Sequence, residues 1–229
     1  MKISWRTELL PLFFIIASFV MAAVAWPQAP DRIPIHWGLS GQPDSYAGKI
    51  GLFYPAFIAL GLYVLLLVLP RVDPRRRNYA RFWGTYTLVR TVVIAALVCI
   101  QLFTVLWAVD VKVNINIAVP VIVGALLMVL GNFLGKFRPN WFAGIRTPWT
   151  LSSTESWNKT HRLGGRLFVL LGLLVIIAAV FHQTWTYILA GVMAAAIIIG
   201  LFVYSYVIWK RDPDAGPANR WTGPEEREK

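Results

Sequence analysis

The chain has 229 residues, of which 57% are hydrophobic and only 14% are charged. Soluble domains are usually about 45–50% apolar and about 25% charged, so the composition excludes an ordinary soluble domain and, equally, a disordered chain. The single cysteine, Cys99, excludes an intrachain disulfide scaffold and a cysteine-rich zinc site. The formal net charge of +11 would suggest nucleic-acid binding in a soluble protein, but its distribution along the chain favours a membrane protein instead.

Six apolar stretches are long enough, or nearly so, to cross a membrane as helices, which needs about 20 mostly apolar residues. The stretches lack the period-two alternation of a lipid-facing barrel, so the predicted fold class is an all-α polytopic membrane protein with six transmembrane helices. The fifth stretch has only 15 residues, and we expect the helix to extend back through residues 160–166. The predicted spans are Leu9–Trp26, Ile50–Leu69, Thr91–Val109, Val113–Leu134, Leu167–Phe181 and Trp185–Trp209.

The first stretch also fits a secretory signal. Lys2 and Arg6 precede it, and Ala23-Val24-Ala25 is typical of a cleavage site. Its apolar length suits a membrane anchor better, so we expect it to be retained as a span. Six crossings then place both termini on one side of the membrane.

The basic residues predict the orientation. Eighteen of the 22 lysines and arginines lie in the two terminal segments and in the second and fourth loops, whereas the other loops hold Arg32, Lys49 and Lys112. This is the positive-inside pattern, so both termini are predicted to be cytoplasmic. Membrane lipids account for the excess charge, and no direct nucleic-acid partner is needed. The tryptophans at predicted span ends agree: Trp5, Trp26, Trp83, Trp107, Trp185 and Trp209.

The first outer loop, residues 27–49, is predicted to form an ordered cap. Its four prolines exclude a regular helix, and Ile33–Trp37 can be extended before a run of turn residues. His36 and Asp44, joined by His182 from the last outer turn, could ligate a metal. Because they lack a ligand-spacing signature, we interpret them as hydrogen-bonding partners of the loop backbone, and no metal is predicted.

The inner loop, residues 135–166, is rich in arginine, tryptophan and proline, and we expect it to lie in the headgroup layer. Ser152 and Glu155 have the spacing of a capping box, which predicts a helix that begins at the next residue, 153. On that helix Trp157 and His161 would share one face. The loop is interpreted either as a lipid-anchored segment or as a docking surface for an acidic or peptide partner.

Small and charged residues inside the spans predict contacts between helices. The GxxxG pattern at 131–135 permits close helix contact, although it is common in such a composition. Gly164-Gly165 is expected to kink the chain before the fifth span. Arg90 is expected to snorkel to the inner interface, with a buried pairing with Glu8 or Gln101 as the alternative.

Two blocks of the sequence resemble a known family. Pro139–Leu151 followed by Trp157–Arg162 resembles the signature of the bacterial SdpI family. Ile33–Trp37 with Gly41–Asp44 resembles the domain of unknown function that precedes it in that family. The resemblance implies an integral membrane immunity protein that protects a cell from its own secreted antimicrobial peptide toxin. Some members of the family also act as receptors that hold a cytoplasmic transcriptional repressor at the membrane, and the resemblance implies that this chain could do the same.

The predicted organisation has three parts. Residues 1–109 form an N-terminal membrane half, residues 110–209 form an SdpI-like membrane half, and residues 210–229 form a cytoplasmic tail that we expect to be disordered. Arg146 is expected to hold helix-end carbonyls, so that its replacement causes misfolding. The candidate residues for toxin binding or signalling are His36, Trp37, Asp44, Asn140, Arg146, Thr147, Trp149, Trp157, Thr160, His161 and Arg162.

Two other function classes remain as alternatives to a non-enzymatic immunity protein without cofactors. A membrane-embedded metal-dependent hydrolase would need converging acid, base or metal groups, and the sequence has neither a metalloprotease motif nor a nucleophile elbow. A small-solute transporter would need polar breaks at mid-membrane and often an inverted repeat, and neither is evident.

Overall fold

The structure is a computed structural model that describes residues 4–38, 41–181 and 183–216. The predictions that concern His182 and the tail from residue 217 onward lie outside the described residues. The elements in chain order are helix α1 (Trp5–Ala25), strands β1 (Arg32–Trp37) and β2 (Pro43–Gly48), a 3-10 helix (Lys49–Phe53), α2 (Tyr54–Val72), a second 3-10 helix (Arg76–Arg81), α3 (Trp83–Ala108), α4 (Ile115–Leu134), α5 (Pro148–Ser152), α6 (Thr154–Phe181) and α7 (Thr184–Arg211).

Within the described residues, six helices are long and apolar enough to cross a membrane. The predicted fold class, an all-α polytopic membrane protein, is therefore confirmed. Three helices begin several residues earlier than the apolar stretches suggest, α1 at Trp5, α3 at Trp83 and α6 at Thr154. Their first turns contain polar residues that pack against other parts of the protein. Because these residues are not apolar, a search for apolar stretches does not include them. The predicted extension of the fifth span through residues 160–166 is confirmed.

The bundle has two chemically distinct ends. At the hairpin end, strand β1 and the 3-10 helix Lys49–Phe53 pack on the last turns of α1 and α3, where Ile33, Leu52 and Ala108 share one buried cluster. At the basic end, residues 135–153 pack on the first turns of α3 and on the 3-10 helix Arg76–Arg81. Because α3 runs between the ends, His36 and Arg146 lie at opposite ends of the molecule, as predicted.

The outer loop forms an antiparallel hairpin. Arg32 pairs with Gly48, and the register shifts on either side of His36, which marks an irregularity in β1. The extended segment predicted from the sequence is confirmed as β1. The turn needs glycine at position 41, since its φ is +75° and a Cβ atom there would lie 2.7 Å from the side chain of Asn116. The tip of the hairpin therefore packs on the start of α4.

Helices α4 and α6 meet along a glycine seam. A Cβ atom at Gly131 would lie 2.6 Å from the carbonyl oxygen of Gly165, and one at Gly124 would lie 2.6 Å from that of Gly172. The two antiparallel backbones are thus in direct contact at points seven residues apart on each helix. The helix α6 continues through Gly164 and Gly165, and Gly165 packs against α4, while the kink expected there stays a prediction.

Arg90 is buried in a polar cluster between α1, α2 and α3. Its Nη2 atom donates to both carboxylate oxygens of Glu8, at 2.7 and 2.6 Å, and the hydroxyl of Tyr63 donates to the same carboxylate at 2.7 Å. The snorkelling prediction is therefore wrong, because Glu8 offers an anion at the depth of the guanidinium. Gln101 pairs elsewhere, with Ser18 of α1.

Candidate functional site

At the hairpin end, an imidazole and a carboxylate face each other across the two strands. His36 Nδ1 lies 2.6 Å from Asp44 Oδ1, and the two side chains are 69% and 51% exposed. Trp37 beside them is half-buried. The polar atoms of the pair are therefore accessible at the surface of the hairpin end. Throughout the described ranges, no group of three or more His, Cys, Asp or Glu side chains could hold a metal ion.

At the basic end, a buried carboxylate organises the chain. Asp73 is 2% exposed and accepts from the backbone N–H groups of Arg75, at 2.7 Å, and Trp141, at 2.9 Å. It also accepts from the hydroxyl of Tyr79 at 3.0 Å. Burial, together with the charge and hydrogen bond of Asp73, raises the pKa of Tyr79 well above its usual range. Asp73 thus ties the loop after α2 to the loop after α4.

Sequence analysis did not select Asp73. A signal for it was available, because Asp73 is the one acidic residue in the arginine-rich segment between the second and third spans. A lone carboxylate among basic residues at the inner interface is readily paired or buried.

Asn140 shapes the inner loop from within. Its side chain is fully buried, and Oδ1 accepts from the N–H groups of Phe142 and Ala143 at 3.0 and 2.7 Å. Its Nδ2 atom donates to the carbonyls of Arg138 and Ala143 at 2.9 and 3.0 Å. The hydroxyl of Tyr79 adds a contact of 3.3 Å. Asn140 therefore stabilises the turn and does not face a partner in this arrangement.

Trp157 and His161 form a stacked pair, with ring centroids 4.0 Å apart and both side chains fully buried. The predicted shared helix face is confirmed. Trp157 donates from Nε1 to the carbonyl of Phe137 at 2.9 Å. His161 Nε2 accepts from the N–H of Ile145 at 3.0 Å, and Nδ1 lies 2.8 Å from the carbonyl of Trp157. These partners fix the neutral tautomer that carries its proton on Nδ1. Gly144 fits against the Nε2 edge of the ring because its φ is +107° and it has no Cβ.

The capping residue of α6 lies one position later than predicted. Ser153 Oγ accepts from the N–H of Ser156 at 2.9 Å and donates to Asp212 at 2.5 Å. Ser152 instead donates its hydroxyl to the carbonyl of Pro148, because residues 148–152 form the short helix α5. Sequence spacing alone did not reveal that a separate helix ends immediately before α6.

Thr147 caps the start of α5 and links this helix to α7. Its hydroxyl accepts from the N–H of Thr150 at 3.1 Å and lies 2.9 Å from the hydroxyl of Ser205. Trp149 is half-buried, with its ring 4.7 Å from that of Phe202 and at a steep angle to it. The inner loop is therefore held against α7 as well as against α3.

Two of the candidate residues at the basic end are exposed arginines. Arg146 donates from Nη1 to the carbonyl of Trp141 at 2.9 Å, and Arg162 donates weakly to Asn158. Trp141 is not in a helix, so the expected hold of Arg146 on helix-end carbonyls is not seen. Thr160 is fully buried, and its hydroxyl has no hydrogen-bond partner among the described residues.

The structure thus divides the candidate residues into two groups. His36, Trp37 and Asp44 lie together at the hairpin end. All the others lie at the basic end, from Asn140 to Arg162, where the arginines are exposed and the remaining side chains are buried or half-buried.

Comparisons with known proteins agree with the family resemblance of the sequence. Residues 13–60, which run from within α1 through the hairpin into α2, match a domain of unknown function, DUF1648. Over 206 residues the chain is 21% identical to Immunity protein SdpI of Bacillus subtilis (strain 168), covering 90% of this chain and 97% of that protein. No solved structure matches the chain. Residues 136–205, which run from the inner loop into α7, match the SdpI/YfhL protein family.

Proposed function

We propose that the chain is a membrane immunity protein that protects a bacterium from a secreted antimicrobial peptide toxin. The observation that carries the proposal is its similarity to Immunity protein SdpI, which extends over nearly the whole length of both chains. The predicted orientation, with both termini cytoplasmic in the plasma membrane, would place the hairpin end where a secreted peptide arrives.

The hairpin end is the proposed site of toxin contact. Its exposed groups combine the His36–Asp44 pair with apolar side chains, including Ile35 and Tyr46, which are 44% and 40% exposed. An amphipathic peptide could place polar groups on the pair and apolar groups on the neighbouring side chains. The half-buried Trp37 would supply part of this apolar surface.

The basic end is the proposed signalling surface. Arg146 and Arg162 are exposed and suit an acidic partner, for which a cytoplasmic repressor is the candidate that the family resemblance implies. The buried candidates Asn140, Thr147 and His161 would act by holding the inner loop in shape. Replacing either arginine should reduce signalling more than membrane abundance, whereas replacing a buried residue should reduce both.

Protection can be measured by expressing the chain in a sensitive bacterium and counting survivors after exposure to the culture supernatant of a producing strain. We expect the wild-type chain to raise survival and Asp44→Ala to lower it at unchanged membrane abundance. Asp31→Ala removes an exposed carboxylate just before β1 and serves as the matched control, with survival expected to stay at the wild-type level. A wild-type chain that protects against none of the secreted peptides of its own host would refute the proposal.

A further inference from the structure

We infer that α3 transmits a change at the hairpin end to the basic end, and that Arg90 is the positioning residue on which this transmission depends. The inference deepens the proposed function, on which it rests only for the identification of the hairpin end as the side that meets the toxin. It concerns how the two groups of candidate residues communicate, since they lie at opposite ends of the bundle.

Helix α3 contacts both groups. It has 26 residues and is therefore about 39 Å long. At the hairpin end, Ala108 shares a buried cluster with Ile33 of β1. At the basic end, Tyr86 shares a buried aromatic cluster with Phe137 of the inner loop and Trp157 of α6. One rigid helix is therefore in contact with the strand that carries His36 and with the segment that carries the inner-loop candidates.

Four of the contacts that α3 makes along its length lie on one face. A helix turns 100° per residue, and four of its buried side chains fall within an arc of about 60°. A rotation or slide of α3 would therefore displace all four contacts together, because a helix moves as a unit. These side chains are Tyr86, Arg90, Gln101 and Ala108.

The ion pair of Arg90 is not fully satisfied in this arrangement. Nη2 donates to both oxygens of Glu8, whereas Nη1 and Nε are buried and have no hydrogen-bond partner in the described part of the chain. A buried pair with unsatisfied donors contributes less to stability than well-packed apolar side chains of similar volume. The pair fixes the position of α1 against α3. The Nη1 and Nε donors of Arg90 can form hydrogen bonds in a second arrangement of the same helices.

The transmission can be tested without a toxin, in the purified full chain in detergent. In a Cys99→Ala background, Thr160→Cys places a thiol at a fully buried position of the basic end, where the hydroxyl that it replaces makes no hydrogen bond among the described residues. The readout is the rate of labelling with N-ethylmaleimide. Ile33→Ala at the hairpin end should raise this rate at least about fivefold, whereas the matched Ile50→Ala, on an exposed side chain of the 3-10 helix that follows β2, should leave it unchanged.

The role of the ion pair is tested by repeating Ile33→Ala in a Glu8→Gln, Arg90→Met background, where the rise should fall below about twofold. Tyr63→Phe removes only the hydroxyl bonded to Glu8 and should give an intermediate rise, which provides a test if the double variant does not fold. An equal rise with and without the ion pair, or no rise in the parent background, would overturn the inference. Failure of the wild-type chain to protect in the survival assay would instead refute the proposed function, so the two failures are distinguishable.

Discussion

Gly131→Ala is expected to destabilise the protein by separating α4 from α6. The added Cβ would lie 2.6 Å from the carbonyl oxygen of Gly165 and 2.8 Å from the backbone nitrogen of Val169, whereas ordinary contact begins near 3.4 Å. The backbones must therefore separate locally by about 0.8 Å, the difference between 2.6 and 3.4 Å. Overpacking of this kind costs about 1–3 kcal/mol, offset by up to about 1 kcal/mol of improved helix propensity. We expect a net loss of about 1–2 kcal/mol.

The free energy of unfolding in detergent micelles, measured by denaturant titration of the purified chain, tests this value. Gly200→Ala in α7 is the matched control, because its Cβ would meet nothing within 4 Å, and it should be neutral or slightly stabilising. The double variant Gly131→Ala, Gly165→Ala should lose less than the sum of the single variants, since both new methyl groups enter the same contact. If Gly131→Ala proves as stable as Gly200→Ala, or if the two losses simply add, the glycine seam is wrong.

Three further outcomes are expected at the two ends of the bundle. The raised pKa of Tyr79 means that its ionisation favours unfolding, so its contribution to stability should be constant below pH 10 and fall above it, and Tyr79→Phe should lessen the fall seen in an alkaline titration while removing the bond to Asp73. His161→Phe leaves the N–H of Ile145 without its acceptor and removes a second bond to the helical carbonyl of Trp157, so it should cost about 1–3 kcal/mol, whereas the exposed Arg146→Ala should cost about 1 kcal/mol or less, both measured as unfolding free energy. Elemental analysis of the purified chain should find no stoichiometric zinc, since one imidazole and one carboxylate provide fewer ligands than zinc takes in proteins.

The features that depend on local sequence were predictable. The six spans follow from apolar length, β1 from the proline-rich extended segment, and the Trp157–His161 pair from the helical repeat. These features need no knowledge of which helices are neighbours. The same reasoning identified the inner loop as a dense group of polar and aromatic residues, which the structure brings together at the basic end.

The features that depend on distant contacts were not predictable from one sequence. Arg90 is buried because Glu8, 82 positions away, packs against it, and no local pattern selects that partner over the interface. The pairing of Gly131 with Gly165 requires knowing that α4 and α6 are antiparallel neighbours in register. A high density of polar and aromatic residues in a motif also does not distinguish buried side chains that stabilise a loop, such as Asn140, from exposed side chains that can contact a partner. The assignments of the candidate residues to toxin binding or signalling therefore stay predictions.

The membrane arrangement is tested most directly by the accessibility of single cysteines in intact bacteria. In a Cys99→Ala background, Ser45→Cys places a thiol on the exposed surface of β2, and Ala80→Cys places one on the exposed 3-10 helix of the basic end. A membrane-impermeant maleimide should label the first in intact cells and the second only after the membrane is permeabilised. Labelling of both cysteines in intact cells, or of the second alone, would contradict the account.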